Sequence, residues 1–183
     1  MLRGIMHQSI GVVALAILLS GCVGVATEGA RGAASQVIVE QNITKARQGD
    51  REAQFKVGEA LCCGVDDRGG FYNTRQSVSW LCLSAAQGYG PAMHKLGRIY
   101  SGDTVDGVRV IRRVAGAVAG EHRNLPISYA WFANAKAYGV AEAGEKAQEI
   151  WNGLNSGEQQ IARRQTEAGL KATCDWDQAM AGR

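Results

Sequence analysis

The feature that most constrains the fold of this chain is one helical face that occurs three times. Each copy places apolar residues at positions i, i+4, i+7 and i+8, which lie on one side of an α-helix. The copies are Ala53, Val57, Ala60 and Leu61; Ala92, Leu96, Ile99 and Tyr100; and Ala143, Ala147, Ile150 and Trp151. The second copy follows the first by 39 residues, and the third follows by a further 51. Self-similarity at these spacings predicts stacked helical repeats that bury one continuous core together.

A second helix between the copies is indicated by a cap, an aromatic residue and a terminator in one register. Asn73, Trp80 and Gly88 each have an identical residue 51 positions later. Asn is a favoured helix N-cap, as is Asp50 after Gly49 at the start of the first copy, and Gly adopts the left-handed conformation that ends a helix. The 183-residue chain has only two prolines and few alternating β-branched runs, so the sequence predicts an all-α domain.

Three segments resemble the Sel-one-like repeat (SLR), a tetratricopeptide-like helix hairpin. They are DREAQFKVG at 50–58, WLCLSAAQG at 80–88 and AMHKLGRIYSG at 92–102. The resemblance covers roughly 49–151 and departs from the pattern in two ways. Gln148 stands where the first two copies have Gly58 and Gly97 at a tight helix crossing, and the second repeat is longer than the first. It implies a right-handed α-solenoid of about two to three antiparallel hairpins with helical caps, whose surface assembles other proteins.

The N-terminus predicts an export signal with a lipid attachment site. Arg3 precedes an apolar run at 10–19 that is short for a bilayer span. Leu-Ser-Gly-Cys at 19–22 resembles the bacterial lipobox, which implies a lipid on Cys22, and Val23 after it resembles outer-membrane sorting. The expected location is therefore the bacterial cell envelope, on the periplasmic face of the outer membrane. The alternative is an ordinary secretory signal with a chance cysteine.

These patterns predict one helical domain behind the signal. The expected divisions are a signal peptide at 1–21, a flexible Gly/Ala-rich tether at 22–34, an N-terminal capping helix at 35–48, SLR repeat 1 at 49–87, SLR repeat 2 at 88–138 with an insertion at 103–123, and a partial third repeat with a C-terminal capping helix at 139–183. Ser156 and Gln159 match the capping box that would open the closing helix.

Four cysteines follow Cys22, and export would place them where disulfides persist. The favoured pairing joins Cys62 or Cys63 to Cys82 within the first hairpin, worth about 3 kcal/mol in the chain-entropy model. Cys174 would then fasten the C-terminal tail to the remaining cysteine. Free buried thiols are the alternative, and a metal site is disfavoured because the spacing is not that of a zinc motif.

The insertion carries the candidate partner-binding residues. Arg109, Arg112 and Arg113 share one face of a short amphipathic pattern. They would meet an anionic partner, or they form a solvated face with salt bridges to nearby acids such as Asp103 and Asp106. The formal charge of +3 falls to +2 once Arg3 is removed with the signal, which is too small to indicate nucleic acid as a partner.

Motifs for catalysis are missing from the sequence, which contains no Ser-x-x-Lys, His-Glu-x-x-His or Gly-x-Ser-x-Gly. His94 is expected on the exposed side of its helix. The sequence therefore predicts a non-enzymatic adaptor for unknown envelope proteins, with no cofactor and no metal. Because some secreted cysteine-rich relatives of the SLR family are linked with β-lactams, the alternative is a cell-wall or β-lactam-binding or hydrolysing enzyme. A redox or stability role for Cys62, Cys63 and Cys82 is a third hypothesis.

Overall fold

The structure is a computed structural model that describes residues 32–63, 71–103, 123–169 and 173–181. The described residues form eight α-helices and no strand, which confirms the all-α prediction. The helices are α1 at 32–47, α2 at Arg51–Leu61, α3 at Thr74–Ala85, α4 at Gly90–Ser101, α5 at Leu125–Ala137, α6 at Ala143–Gly153, α7 at Ser156–Glu167 and α8 at Trp176–Ala181. The chain divides into two units, Met1–Ala34 and Ser35–Arg183, and the features below belong to the second. Among the described helices, none has the length and apolar character required to cross a bilayer.

The predicted N-caps of α2, α3 and α5 are confirmed. The side chains of Asp50, Asn73 and Asn124 each accept a hydrogen bond from a backbone N–H in the first turn, at 2.7, 2.9 and 3.2 Å. The capping box of α7 lies one residue earlier than expected. It is formed by Asn155 and Glu158, whose carboxylate accepts from the Asn155 N–H at 2.9 Å. A short polar side chain in extended backbone satisfies the orphan N–H groups of the first turn, and Asn155 meets that requirement.

The pairs α2/α3 and α4/α5 are packed together by the same side-chain contact. The Ser77 hydroxyl of α3 donates to the carbonyl of Gly58 in α2 at 2.6 Å. The Ser128 hydroxyl of α5 donates to the carbonyl of Gly97 in α4 at 2.7 Å. These serines lie 51 residues apart and these glycines 39 apart, as in the sequence pattern. Both hydroxyls are buried, so each bond satisfies a donor that water cannot reach.

Glycine is required at both crossings because a large side chain occupies the space of its absent Cβ. A Cβ added to Gly58 would lie 2.8 Å from Leu81 Cγ, and one added to Gly97 would lie 2.9 Å from Phe132 Cγ. Leu81 and Phe132 are 0% and 1% exposed. The helices therefore approach closely enough for the ring or the isobutyl group to pack on the facing backbone.

The third copy of the helical face is packed differently. Ala143 and Ala147 of α6 are buried, but Gln148 is exposed and bonds to Asn152 on its own helix at 2.8 Å. Both α6 and α7 pack against α5. Gln148 occupies the position of Gly58 and Gly97, and no Gly–Ser crossing is formed there.

The core consists of two clusters. The larger runs through α3, α4, α5 and α6 and includes Tyr100, Trp131 and Ala179. The smaller joins α1 to α2 around Ala46 and Val57, with Trp80 packed at its edge. The Gln54 side-chain amide also donates to the Ala46 carbonyl at 3.1 Å. Helix α1 therefore packs against α2.

Candidate functional site

Several candidate residues lie outside the described residues. They are the lipidation candidate Cys22 and the basic residues of the insertion, Arg109, Arg112 and Arg113. Predictions for them stay predictions. The described residues offer two other features with functional potential, which are the disulfides with the C-terminal segment and a charged surface on α2, α4 and α6.

The structure pairs Cys62 with Cys63 and Cys82 with Cys174, so the favoured bridge from Cys62 or Cys63 to Cys82 is wrong. The antiparallel hairpin explains the difference. The Asn73 N–H donates to the Leu61 carbonyl at 2.9 Å, which places the end of α2 beside the start of α3. Cys82 lies nine residues further on, about 13 Å along a helix, whereas bridged cysteines have Cα atoms within about 7 Å.

Cys82 instead faces the C-terminal segment, where its Cα lies 5.9 Å from that of Cys174. We call residues 173–181, which contain α8, the C-terminal clasp. The phenol of Tyr100, at the end of α4, donates to the carbonyl of Thr173 at 3.0 Å. The side-chain amide of Asn124, the N-cap of α5, donates to the carbonyl of Ala179 at 2.7 Å. The clasp thus spans the edge of the bundle where α4 ends and α5 begins.

Side-chain contacts add to this attachment. Arg75 of α3 donates two hydrogen bonds to the Asp177 carboxylate, at 2.7 and 2.6 Å. The Trp176 and Tyr100 rings lie 5.7 Å apart between centroids. Burial raises the pKa of the Tyr100 phenol above its usual value, and the nearby Asp175 carboxylate adds to the shift. Tyr100 is therefore a hydrogen-bond donor throughout the physiological pH range.

Sequence reasoning did not find the clasp. The sequence predicts Tyr100 on the repeated core face and Asn124 as a cap, and both predictions are confirmed. The hydrogen bonds that Tyr100 and Asn124 donate to the clasp join residues that are 73 and 55 positions apart in the sequence. Arg75 and Asp177 are 102 positions apart. Local periodicity carries no signal for pairs this distant. Cys174 was the one indication that the tail is fastened to the domain.

Charged side chains of α2, α4 and α6 form the second feature. Lys95 of α4, 8% exposed, pairs with Glu59 of α2 at 3.5 Å, while Arg98 lies 3.9 Å from Asp103. Glu142, which precedes α6, and Lys146, near the start of α6, lie in the same region. We call the following set the charged face: Glu59, His94, Lys95, Arg98, Asp103, Glu142 and Lys146.

His94 lies within the charged face and is half-buried, so it is less exposed than expected. Its ring packs edge-on against Phe132, with 5.3 Å between centroids. Because Phe132 extends from α5 across Gly97, it reaches the side of α4 that carries His94. Burial lowers the pKa of His94, and the Glu142 carboxylate partly opposes this effect.

We expect the stability of the protein to fall as the pH drops below 6.5, with His94 contributing to the fall. The pKa of His94 is lower in the folded chain than in the unfolded chain, so on acidification the unfolded chain binds the proton first. The free energy of unfolding therefore decreases as the pH falls from 6.5 to the folded-state pKa. Urea unfolding measured from pH 7 to pH 5 should show a shallower pH dependence for His94→Gln than for the native chain. An equal pH dependence of stability in the two proteins would contradict the burial of His94.

Within the described parts of the chain, no group of three or more His, Cys, Asp or Glu side chains could hold a metal ion. The charged face is suited to recognising polar groups, and the edge under the clasp is suited to holding a peptide. Comparison of the chain with protein-family models, with curated proteins and with solved structures finds no match.

Proposed function

We propose that this chain is a lipid-anchored SLR module of the bacterial cell envelope that brings other envelope proteins together on its helical surface. In this proposal the hairpins stack as a right-handed α-solenoid, and the lipid on Cys22 holds the module at the periplasmic face of the outer membrane. The observation that carries the proposal is the matched Ser–Gly contact in α2/α3 and α4/α5. Two hairpins with the same internal contact at corresponding positions are typical of repeat modules, whose usual role is to present an extended surface.

The charged face is the surface that we assign to the partner. It runs over α2, α4 and the start of α6, the helices that carry the repeated apolar face on their inner sides. The Lys146–Glu149 pair is largely exposed, and exposed pairs of this kind contribute little stability. Because both side chains are exposed to solvent, their charges remain available to a partner. Glu59, Arg98 and Lys146 present both signs at the surface, so the expected partner is a protein surface with complementary charges of both signs.

In-cell photo-crosslinking tests this assignment. Crosslinkers at Lys56 on α2 and Glu149 on α6, both exposed beside the charged face, should capture the same envelope protein. Crosslinkers at the exposed Ser79 on α3 and Ala137 on α5 serve as matched controls and should capture little of it. Capture should also drop in Cys22→Ser, because without acyl chains the module leaves the membrane.

Three results would contradict the proposal. Equal capture from all four positions would show that the charged face is not selective. If Cys22→Ser stayed attached to the membrane as the native chain does, a lipid anchor on Cys22 would be refuted. Covalent labelling of the chain by a reporter penicillin would favour the enzyme alternative, because an adaptor has no reactive group for a β-lactam ring.

A further inference from the structure

The C-terminal clasp packs against a surface whose donors contact its main chain. We call this surface, edged by Arg75, Tyr100 and Asn124, the groove. Tyr100 and Asn124 donate to the carbonyls of Thr173 and Ala179, six residues apart along the clasp. Bonds to backbone carbonyls do not depend on the side chains of the bound segment. Thr173 and Ala179 are 2% and 4% exposed, so the clasp is seated in the groove at both ends. The groove therefore has the contacts of a peptide site that accepts more than one sequence.

Two further contacts favour particular side chains in the bound segment. The Arg75 guanidinium forms a two-bond fork with the Asp177 carboxylate, a geometry that suits an acidic side chain. The Tyr100 ring lies against Trp176, so the groove also accommodates an aromatic residue. The preferred ligand is a short helical segment that carries an aromatic residue followed by an acid.

The ion pair that the clasp forms through Asp177 is exposed at both partners. The Cys82–Cys174 bond keeps the clasp beside the groove at high effective concentration. Cys174 is half-buried, so a small thiol can reach it. Opening this one bond leaves the clasp held by noncovalent contacts alone.

We propose that the groove edged by Arg75, Tyr100 and Asn124 is a peptide-binding site that is occupied by the clasp in the oxidised protein and opened by a dithiol reductant. One reductant thiolate attacks a sulfur of the Cys82–Cys174 bond and forms a mixed disulfide. The second reductant thiol displaces the remaining protein sulfur. Two electrons and two protons pass to Cys82 and Cys174, and the reductant leaves as its disulfide. This site is separate from the charged face, so it does not depend on the adaptor proposal.

The test uses the full chain with Cys62→Ser and Cys63→Ser, so that Cys82–Cys174 is the bond that dithiothreitol opens in the folded domain. The probe is a fluorescent peptide of residues 173–181 carrying Cys174→Ser. We expect fluorescence anisotropy to show at least tenfold more bound peptide after reduction. Hydrogen exchange of the clasp amides should accelerate at least tenfold and exceed that of the α2 to α5 amides, which exchange only through global unfolding. Adding Cys174→Ala to the same background should bind the peptide without reductant.

Arg75→Gln should weaken peptide binding several-fold in the reduced protein, whereas Arg164→Gln on the exposed side of α7 is the matched control and should not. The proposal is overturned if the clasp stays protected after reduction, if reduction exposes α2 to α5 together with the clasp, or if the two arginine variants bind equally. Failure of Cys174→Ala to bind the peptide would also overturn it. None of these results bears on crosslinking at the charged face.

Discussion

Removing the Cys82–Cys174 disulfide is expected to lower the free energy of unfolding by about 4 to 5 kcal/mol. The bridge joins residues 92 positions apart, and in the chain-entropy model a loop of this length restricts the unfolded chain strongly. For a domain of this size the loss corresponds to a fall in melting temperature of roughly 10 to 15 °C. Thermal and urea unfolding of Cys82→Ala with Cys174→Ala, compared with the native chain, measures the effect.

The chain provides a matched control for this experiment. Cys62 and Cys63 are neighbours, so their bridge closes almost no loop and has almost no effect on chain entropy. Cys62→Ala with Cys63→Ala should change the free energy of unfolding by less than about 1 kcal/mol. The connectivity would be refuted if the control pair destabilised the protein as much as the Cys82 and Cys174 pair. Peptide mapping without reductant identifies the bridges directly.

Gly97→Ala is expected to destabilise the protein by about 1 to 3 kcal/mol, the range typical of overpacked cores. In an exposed helix the same change would stabilise the protein by up to about 1 kcal/mol. The sign of the change in the free energy of unfolding therefore distinguishes an effect of packing from one of helix propensity. The added Cβ would lie 2.9 Å from Phe132 Cδ1, and the ring is 1% exposed. The ring cannot yield unless α4 and α5 separate, which would also stretch the bond from Ser128 to Gly97.

Gly153→Ala is the control for this prediction, because a Cβ at Gly153, the last residue of α6, meets nothing within 4 Å. It should be neutral or slightly stabilising in the same urea titration. Gly58→Ala should behave like Gly97→Ala, since Leu81 occupies the corresponding space and its backbone N would lie 3.1 Å from the new Cβ. If Gly97→Ala and Gly153→Ala shifted stability equally, the close approach of α4 and α5 would be refuted.

The sequence alone predicted an all-α domain and where several of its helices begin. Asp50, Asn73 and Asn124 cap their helices as expected, and Gly58 and Gly97 lie at tight crossings. A cap needs a side chain within three residues of its target, and an amphipathic face repeats every few residues. Interactions at this range are encoded in neighbouring residues, so they can be identified without knowing the fold.

Which distant residues meet depends on how the helices pack in the folded domain. The partner of Cys82 depends on how far α3 runs past the end of α2, and the contacts of Arg75 and Asn124 depend on where the C-terminus returns to the bundle. His94 is half-buried because a ring from α5 crosses α4 at Gly97. These contacts are set by helix length and crossing geometry over the whole domain, and no local pattern in the chain specifies either one.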